Sequence, residues 1–590
     1  MKNNLLCKKC LKFKAMSTQT AVMSKNQSAY GSSAVLVIAT LQTFFVVLLT
    51  WLACPPTWDF YDGFVAHLVS GIATRGHLTN FYIYSYYGIS TPLIWLQTHF
   101  SGIPWTGVLV ISCLFIGNTL FNFLLFNTAL KKWSGSILLA GFLLFPCIFL
   151  LQYQSFHQPN VAAAALLLSG SALLAAAEWQ QGFDNKFLNA FIWLLLTIAV
   201  LLPVGLRFEA VLGTGLLTGI YAFFSSNPVW RLKRLLIPGV PALIGVAIIA
   251  SSLNHVPFLK ATEADLFIVA DGSATLRDVT AGNSRDSIME VAVKRFFLND
   301  EQVLTPTFIH QIAERTIAAK QSAASDITHL PQRLFKLASA PILNHPQYVL
   351  FSLLIVLLSF FVSPGIGLRS LIFYLAFFLI LILLAYYIKL EDRHYVGLAQ
   401  LFAYMQLLLF FSQIDSITPA FKFAFALTVL LAFFSFRSMW QQRTATEVNL
   451  KNLAEAEVEI NQLSTRQILL LDGDSKDIFH GTPFTLRHFD AASEIVFYDM
   501  GQMPILPEYR SYLDATCKCN SRNVVEFYDY LLSLKSNLCL ISSEERVGFI
   551  TTYLQLVHHK TIHLNRVNGD FALDRIERNN GKLHYYTLSQ

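Results

Sequence analysis

Residues 35–53 read VLVIATLQTFFVVLLTWLA, and residues 57–63, shortly after them, read TWDFYDG. The first stretch carries no charge and is about as long as an α-helix must be to cross the hydrocarbon core of a bilayer. The second places two carboxylates, Asp59 and Asp62, just beyond that span. Carboxylates at a membrane surface are costly to desolvate and repel each other, so such a pair more often marks a working site than a structural one.

The rest of the chain repeats the first pattern. Of its 590 residues 54% are hydrophobic and 14% charged, and the mean hydropathy is +0.49. These values predict an α-helical polytopic membrane protein with about 11 transmembrane helices. The predicted spans lie near 33–53, 104–127, 135–152, 159–177, 188–203, 208–225, 235–253, 346–363, 367–388, 395–414 and 418–437.

The distribution of lysine and arginine predicts how the chain crosses the membrane. Basic residues fall in alternate short connections, as the positive-inside rule expects. We therefore expect a multi-pass protein of the plasma (inner) membrane, with its N-terminus cytoplasmic and its C-terminal domain outside. The predicted parts are a polar tail at 1–34, a membrane domain at 35–437 with outer loops at 54–103 and 254–345, and a soluble domain at 438–590.

The soluble domain has the pattern of a small α/β layer. Short apolar runs at 467–471, 494–498 and 537–541 predict strands, and 523–535 predicts an amphipathic helix between them. One disulfide is possible among Cys517, Cys519 and Cys539 if this domain lies outside the cell. The chain has no Walker A loop, so nothing in it supports ATP-driven transport.

Arg207 lies in the sequence LLPVGLRFE (201–209), between two apolar half-stretches. An arginine near membrane depth costs about 2.5–3.5 kcal/mol on insertion scales and should have an anionic partner. Glu209 is the simplest partner, but residues two apart do not face each other on a regular helix, so a break at Pro203 and Gly205 would be needed. The other candidate partner is a phosphate, which suits the geometry of a guanidinium group.

The outer loop KLEDRHY (389–395) packs charges of both signs into a few residues. Alone it would be interpreted as a solvated loop, whose ion pairs contribute little. Because Arg207 and the acidic pair are predicted on the same side of the membrane, a shared pocket is the better interpretation. The residues that would line or border it are Glu209, His157, Asn160, Arg393, His394 and Tyr395.

Taken together, these features resemble the GT-C superfamily of polytopic glycosyltransferases, close to its bacterial mannosyltransferase and aminoarabinose-transferase-like members. The resemblance covers about 35–437. It rests on the acidic pair, the segment from Tyr84 to Pro92, the step Leu206-Arg207-Phe208-Glu209, and Arg393-His394-Tyr395. This chain departs from the family pattern in spacing its acidic residues D-x-x-D and in carrying Phe208 where proline is usual.

The resemblance implies transfer of a hexosyl or pentosyl group, with inversion, from a polyprenyl-phosphate donor to an extracytoplasmic glycan, lipid or protein acceptor. It implies that Asp59 is the catalytic base or a metal ligand, with Asp62 as its helper. Arg207 and Arg393 would contact the donor phosphate, and Tyr84 would join the substrate cavity. A divalent cation, Mg²⁺ or Mn²⁺, is the one cofactor it allows. Membrane lipids are expected partners, and nucleic acid is not.

Two other function classes stay open. A polysaccharide polymerase or ligase would use a lipid-diphosphate donor and outer-loop arginines, and the 254–345 loop carries Arg277, Arg285, Arg295 and Arg315. A lipid or glycan transporter would need charge inside several spans near the midplane, whereas the strongest charges here cluster on one side.

Overall fold

The apolar stretches form helices because a backbone inside a bilayer must satisfy its polar groups within its own segment. The computed structural model describes residues 32–58, 89–132, 137–179, 186–225, 227–253, 284–295, 300–325, 345–387, 392–413, 419–464, 468–471, 481–485, 495–497, 507–517, 523–534, 538–576 and 582–589, with short pieces at 262, 265–266, 268–269, 278–279, 297–298, 478–479 and 519–520. The helices up to residue 464 are Ser32–Ala53 (α1), Ser90–His99 (α2), Trp105–Lys132 (α3), Ile137–His157 (α4), Val161–Glu178 (α5), Lys186–Phe224 (α6), Pro228–Leu253 (α7), Ser284–Lys294 (α8), Pro306–Ser325 (α9), Pro346–Val362 (α10), Pro364–Tyr387 (α11), Asp392–Gln413 (α12) and Pro419–Ser464 (α13).

Nine helices of the described ranges are long and apolar enough to cross a membrane, and α10 is a shorter apolar helix of 17 residues. One of the nine, α6, contains two spans, so counting its halves separately and adding α10 gives the eleven spans expected from the sequence. The predicted class, an α-helical polytopic membrane protein, is confirmed.

The helix α6 is sharply bent at Arg207, where the backbone is extended (φ −162°, ψ 96°). Tyr221, in its second half, donates a hydrogen bond of 2.6 Å to Glu178 at the end of α5. Glu178 and Lys186 are eight residues apart, a distance of at most about 29 Å. A straight helix would hold Lys186 about 52 Å from Tyr221, so α6 cannot be straight. The prediction of two helices meeting at a break near Pro203 is confirmed.

The centre of the bundle is formed by α5 and α12, whose membrane stretches are 94% and 89% buried. The sequence of α5 is VAAAALLLSGSALLAAAE, and its small side chains let neighbouring helices approach closely. A Cβ on Gly117 of α3 would lie 2.9 Å from the backbone of Leu167, and one on Gly170 would lie 2.6 Å from the side chain of Leu401. Small residues at these contacts therefore allow the neighbouring helices to pack closely around α5 and α12.

The helix α13 extends from the membrane domain into the soluble domain. The sequence predicts separate helices at 418–437 and 444–463, but the structure has one helix of 46 residues, about 69 Å long. This length exceeds the hydrocarbon core by more than twofold. Near its far end, Glu459 accepts a hydrogen bond of 2.8 Å from the backbone N–H of Ala572, and Glu455 lies 3.2 Å from Arg575. A single helix therefore joins the two domains.

The soluble domain contains a five-stranded sheet of order β2-β1-β3-β5-β4. β1 pairs in parallel with β2 and β3, whereas β5 pairs antiparallel with β3 and β4. The predicted α/β layer is confirmed, but β4 and β5 were not predicted. The elements are Ile468–Leu471 (β1), Ile495–Phe497 (β2), Pro507–Cys517 (α14), Val524–Leu534 (α15), Leu538–Ser543 (β3), Glu544–His558 (α16), His563–Arg566 (β4) and Leu583–Ser589 (β5).

The cysteines of this domain differ in their oxidation state. Cys519 forms a disulfide, and the side chain of its partner lies outside the described residues. Cys539 on β3 is a free, buried thiol. Of the three cysteines considered for a disulfide, Cys539 is therefore excluded.

The two predicted outer loops lie on the same side of the bundle as the soluble domain. In the second loop, Arg295 lies 3.1 Å from Glu545, and buried Asp300 accepts a hydrogen bond of 2.9 Å from Tyr553. Just before the acidic pair of the first loop, the N–H of Trp58 donates to a carbonyl of the soluble domain. Three segments far apart in sequence thus meet at one end of the bundle.

Candidate functional site

The acidic pair itself lies outside the described residues. The same holds for Tyr84 and for the rest of 59–88. The structure describes the stretch that leads to the pair, residues 54–58, and most of the other residues predicted for the site.

The stretch that leads to Asp59 is held from two directions. The N–H of Thr57 donates to the carbonyl of His157 over 3.2 Å, and the N–H of Trp58 donates to the carbonyl of Gly481 over 3.0 Å. Trp58 is buried, with 4% of its surface exposed. The chain therefore enters the acidic loop from a defined position between the end of α4 and the soluble domain.

His157 and Asn160 lie beside this point, at the turn between α4 and α5. Both are buried, as the predicted border of a pocket requires. The carboxamide oxygen of Asn160 accepts a hydrogen bond of 2.6 Å from the N–H of Ala163, so Asn160 is the N-cap of α5. His157 ends α4, and its carbonyl carries the contact to Thr57. In these contacts the two residues position the backbone.

Arg207 lies at the same end of the bundle. The second half of α6 runs beside α5 in the same direction, because Ser169 and Thr214 hydroxyls are 3.0 Å apart and Tyr221 reaches Glu178. Both helices rise 1.5 Å per residue, so Arg207 lies at about the level of the first turn of α5. That turn directly follows Asn160 and the end of α4.

The bend at Arg207 brings it close to Glu209, as the sequence argument required. The Nε atom of Arg207 is 4.0 Å from Oε2 of Glu209, and their side chains are 12% and 40% exposed. This separation is too long for a hydrogen bond. The contact between Arg207 and Glu209 is therefore a long ion pair at a largely buried guanidinium.

The helix α12 begins at the same level and carries the third predicted element. A Cβ on Gly397 would lie 3.1 Å from the Cα of Ala163, which places the first turns of α12 beside the first turn of α5. Arg393 and His394 lie in the first turn of α12, and their side chains are outside the description. Tyr395 is described and is 5% exposed. The structure thus brings the helix ends that carry Arg207 and Arg393 to one end of the bundle.

Tyr395 lines a cavity between α10, α11 and α12. Its volume is only about 10 Å³, roughly the space of one water molecule. The phenol of Tyr348 is fully buried there, and its hydroxyl has no hydrogen-bond partner among the described residues. Rings of Phe377 and Phe402 stack at 3.9 Å in its wall. The aromatic residues that line it are Tyr348, Tyr374, Phe377, Phe378, Tyr395 and Phe402.

Sequence reasoning did not find most of this cavity. Tyr348, Tyr374 and the phenylalanines lie in predicted spans, where an aromatic side chain usually faces lipid or core. The only available signal was the spacing of Tyr374, Phe377, Phe378 and Leu381, which puts them near one face of a helix. That spacing does not reveal which other helices complete the wall.

The described residues do not locate a metal ion. Within the ranges that the structure covers, no group of three or more His, Cys, Asp or Glu side chains could hold one. Asp59, the predicted ligand, is outside these ranges. The possible role of Mg²⁺ or Mn²⁺ therefore stays a prediction.

Comparisons with known proteins add little to this geometry. No family model matches the chain, and no curated protein matches it. Among solved structures, the chain is similar to the crystal structure of ArnT from Cupriavidus metallidurans in the apo state, with 12% sequence identity and a TM-score of 0.37 over 92% of this chain and 97% of the other.

Proposed function

We propose that this protein is a membrane glycosyltransferase that moves a sugar from a polyprenyl-phosphate donor to an acceptor on the side of the soluble domain. The observation that carries the proposal is the position of Arg207. Its guanidinium is largely buried in the bend of α6, at the end of the bundle where the acidic loop and α12 begin. A guanidinium at a membrane boundary has the planar, bidentate geometry that suits a lipid phosphate.

The proposed reaction is a single displacement at the anomeric carbon. Asp59 takes the proton of an acceptor hydroxyl as its oxygen attacks, and the bond from the anomeric carbon to the phosphate oxygen breaks. Negative charge develops on the departing polyprenyl phosphate, where Arg207 and Arg393 stabilise it. The anomeric configuration inverts. Asp62 assists Asp59.

The hydrocarbon chain of the donor needs an apolar place beside the phosphate. The aromatic wall between α10, α11 and α12 supplies one as a surface, because the cavity that it borders is too small to enclose a hydrocarbon chain, and this wall includes Tyr395, two residues after Arg393. A polyprenyl chain placed there would have its phosphate at the first turn of α12. Tyr84, Glu209, His157, Asn160 and His394 would surround the sugar end.

Two aspects of the proposal concern the surroundings of the reaction. Asp59 could instead bind Mg²⁺ or Mn²⁺, which would polarise the phosphate; loss of activity on chelation would separate this role from that of a base. The acceptor, whether glycan, lipid or protein, would approach from outside the plasma (inner) membrane. The disulfide at Cys519 supports an oxidising compartment for the soluble domain.

A lipid-diphosphate polymerase or ligase is less well supported than the transferase. That function would use free arginines of the outer loop. Of the four in the 254–345 loop, Arg295 lies 3.1 Å from Glu545 and so already has a carboxylate partner. Donor preference separates the two enzymes.

The test is release of polyprenyl phosphate by purified full-length protein from a panel of polyprenyl-monophosphate sugars. We expect release by the wild type, its loss in Asp59→Asn, and a decrease of about 10²–10³-fold in Arg207→Gln, the range for removal of one charge-stabilising donor. Arg285→Gln is the matched control, because Arg285 is exposed on the outer loop, and it should behave like the wild type. Consumption of diphosphate donors alone would favour the polymerase or ligase. Passage of lipid-linked sugar across sealed vesicles without transfer would favour a transporter.

A further inference from the structure

Residues 481–485 of the soluble domain lie against the membrane domain near residues 54–58, which lead into the acidic loop and which we call the root of the loop. We call residues 481–485 the 481–485 segment. Besides the hydrogen bond from Trp58 to Gly481, the ring of Phe484 packs edge-on against Trp51 of α1, with centroids 5.0 Å apart at 75°. Trp51 also donates its indole N–H to the carbonyl of Phe156 over 3.1 Å. The segment thus touches the residues that precede the acidic pair.

A glycine in α3 permits this approach. A Cβ on Gly107 would lie 1.7 Å from the carbonyl oxygen of Pro483 and 2.7 Å from its carbonyl carbon. No side chain fits there, and the obstructing atoms are backbone, so the segment itself would have to move. Gly102, on the same side of the membrane five residues earlier, has nothing within 4 Å of an added Cβ.

The helix α13 holds the same stretch from a third direction. Arg443 donates a hydrogen bond of 2.8 Å to the carbonyl of Leu52, and the thiol of Cys54 lies 3.4 Å from the hydroxyl of Thr446. The helix then continues into the soluble domain. The soluble domain and its connecting helix therefore both contact residues 52–58, in addition to the contact of Thr57 with His157.

We infer that the 481–485 segment positions residues 54–58, from which the chain enters the acidic loop, so that the soluble domain contributes to the active site of the membrane domain. This inference rests on the proposed function, in which Asp59 must be held at a donor sugar. A misplacement of about 1 Å can cost on the order of 10²-fold in rate. The segment acts through its contacts with Trp58, Gly107 and Trp51 and not through contact with substrate. Its residues Gly481, Pro483 and Phe484 are therefore positioning residues.

The structural arm of the test uses hydrogen exchange resolved to single amides in the full-length protein. The N–H of Trp58 depends on Gly481, whereas the N–H of Thr57 depends on His157 within the membrane domain. In Gly107→Ala we expect the Trp58 amide to exchange at least about tenfold faster, with Thr57 changed much less, because the protecting contact has opened locally. Gly102→Ala should leave both unchanged. Equal protection of Trp58 in Gly107→Ala and the wild type would overturn the inference.

The activity arm measures donor turnover. We expect Gly107→Ala to lower kcat by about tenfold or more with the KM for the donor within about twofold, since the donor site is intact and the base is displaced. Gly102→Ala should match the wild type. If the Trp58 amide exchanges faster in Gly107→Ala but kcat stays at the wild-type value, the positioning role is refuted and the proposed transferase function is not. If the wild type releases no polyprenyl phosphate from any donor, the proposed function fails. The exchange rate of the Trp58 amide then still shows whether the 481–485 segment fixes residues 54–58.

A second variant keeps the test valid if Gly107→Ala does not fold. Phe484 is 42% exposed, so Phe484→Ala removes its contact with Trp51 without opening a buried core. We expect the same pattern at a smaller amplitude: faster exchange at Trp58, little change at Thr57 and a lower kcat. Unchanged exchange and turnover in this variant would overturn the inference independently.

Discussion

The carboxylate of Glu178 and the guanidinium of Arg231 form an ion pair of 2.8 Å, with side chains only 15% and 6% exposed. The pair joins the end of α5 to the first turn of α7. It lies at the end of the bundle opposite the proposed site, about 21 Å along α6 from Arg207. Tyr221 donates to the same carboxylate, so three helices meet at Glu178.

Loss of this carboxylate should destabilise the protein strongly. Glu178→Gln removes the countercharge of buried Arg231, and breaking a buried pair in this way costs about 3–5 kcal/mol. Thermal unfolding in detergent would measure the loss. The matched control is Glu455→Gln, which breaks an exposed pair with Lys451 (77% exposed) as well as the contact with Arg575, and should cost less than about 1 kcal/mol per pair. Equal effects of the two variants would contradict the prediction.

The centre of the bundle contains a buried amide network whose removal should also be measurable. The carboxamide oxygen of Asn118 accepts hydrogen bonds from Gln400 (2.9 Å) and Tyr404, and all three residues are fully buried. Asn118→Leu removes the acceptor of both bonds and leaves only the hydrogen bond from Gln400 to Tyr404, so it should destabilise the protein by about 1–2 kcal/mol, the range for such bonds between membrane helices. Thr40→Val, which removes an exposed hydroxyl bonded to its own helix, is the control. Thermal unfolding in detergent would measure the loss of stability in each variant. Equal losses in Asn118→Leu and Thr40→Val would contradict a stabilising role of the network.

Covering part of the aromatic wall should weaken donor binding in a way that depends on chain length. Ala399 borders the cavity, and Ala399→Phe would cover part of the wall along which the chain is proposed to lie. Displacing about two CH₂ groups at about 0.8 kcal/mol each corresponds to a roughly tenfold higher KM for the polyprenyl donor. Kinetics with a short-chain analogue should show no such increase. Leu357→Phe, on an exposed face of α10, is the control, and the hypothesis fails if it raises KM equally.

The thiol of Cys539 in the soluble domain should not react with alkylating agents while the protein is folded. Burial raises the pKa of Cys539 from 9.0 to about 12, and a backbone contact with Tyr586 offsets this slightly. Mass spectrometry after alkylation at pH 8 should find Cys539 unmodified until the protein is denatured, because the thiolate is the reactive form.

The same shift predicts how stability depends on pH. Because the folded pKa is above the unfolded one, the contribution of Cys539 to stability is complete below about pH 9 and is lost as pH rises toward about 12. Cys539→Ala should flatten this part of the free energy of unfolding plotted against pH. A profile that falls equally in the variant would assign the loss to other groups.

Much of the fold follows from local sequence. The bend of α6 could be predicted because Pro203 and Gly205 interrupt an apolar stretch that is too long for one span. The parallel strands could be predicted because each is a short apolar run. β4 reads His563-Leu-Asn-Arg and has no apolar run, so it becomes recognisable only through its pairing with β5. The continuity of α13 was also missed, because its composition changes from apolar to charged where it leaves the membrane.

For the candidate site, sequence could identify single residues and not their neighbours. Arg207 and the acidic pair were conspicuous because a charge near a membrane is costly, and that cost can be read from one residue and its flanks. The cavity wall and the contact between Gly107 and Pro483 have no such signal. The wall is assembled from three helices, and the contact joins residues hundreds of positions apart, so both depend on how several helices pack at once.

The sequence by itself determined the number of spans, the break in α6, the α/β character of the soluble domain and the residues that merit a chemical role. These properties are local, since they depend on the length, polarity and charge of contiguous stretches. Only the tertiary structure decided that the soluble domain rests on the root of the acidic loop, that Asn160 caps a helix, and that tyrosines from three helices share one cavity. Those are matters of packing, in which the close approach of distant backbones selects one arrangement from many that have the same hydrophobic pattern.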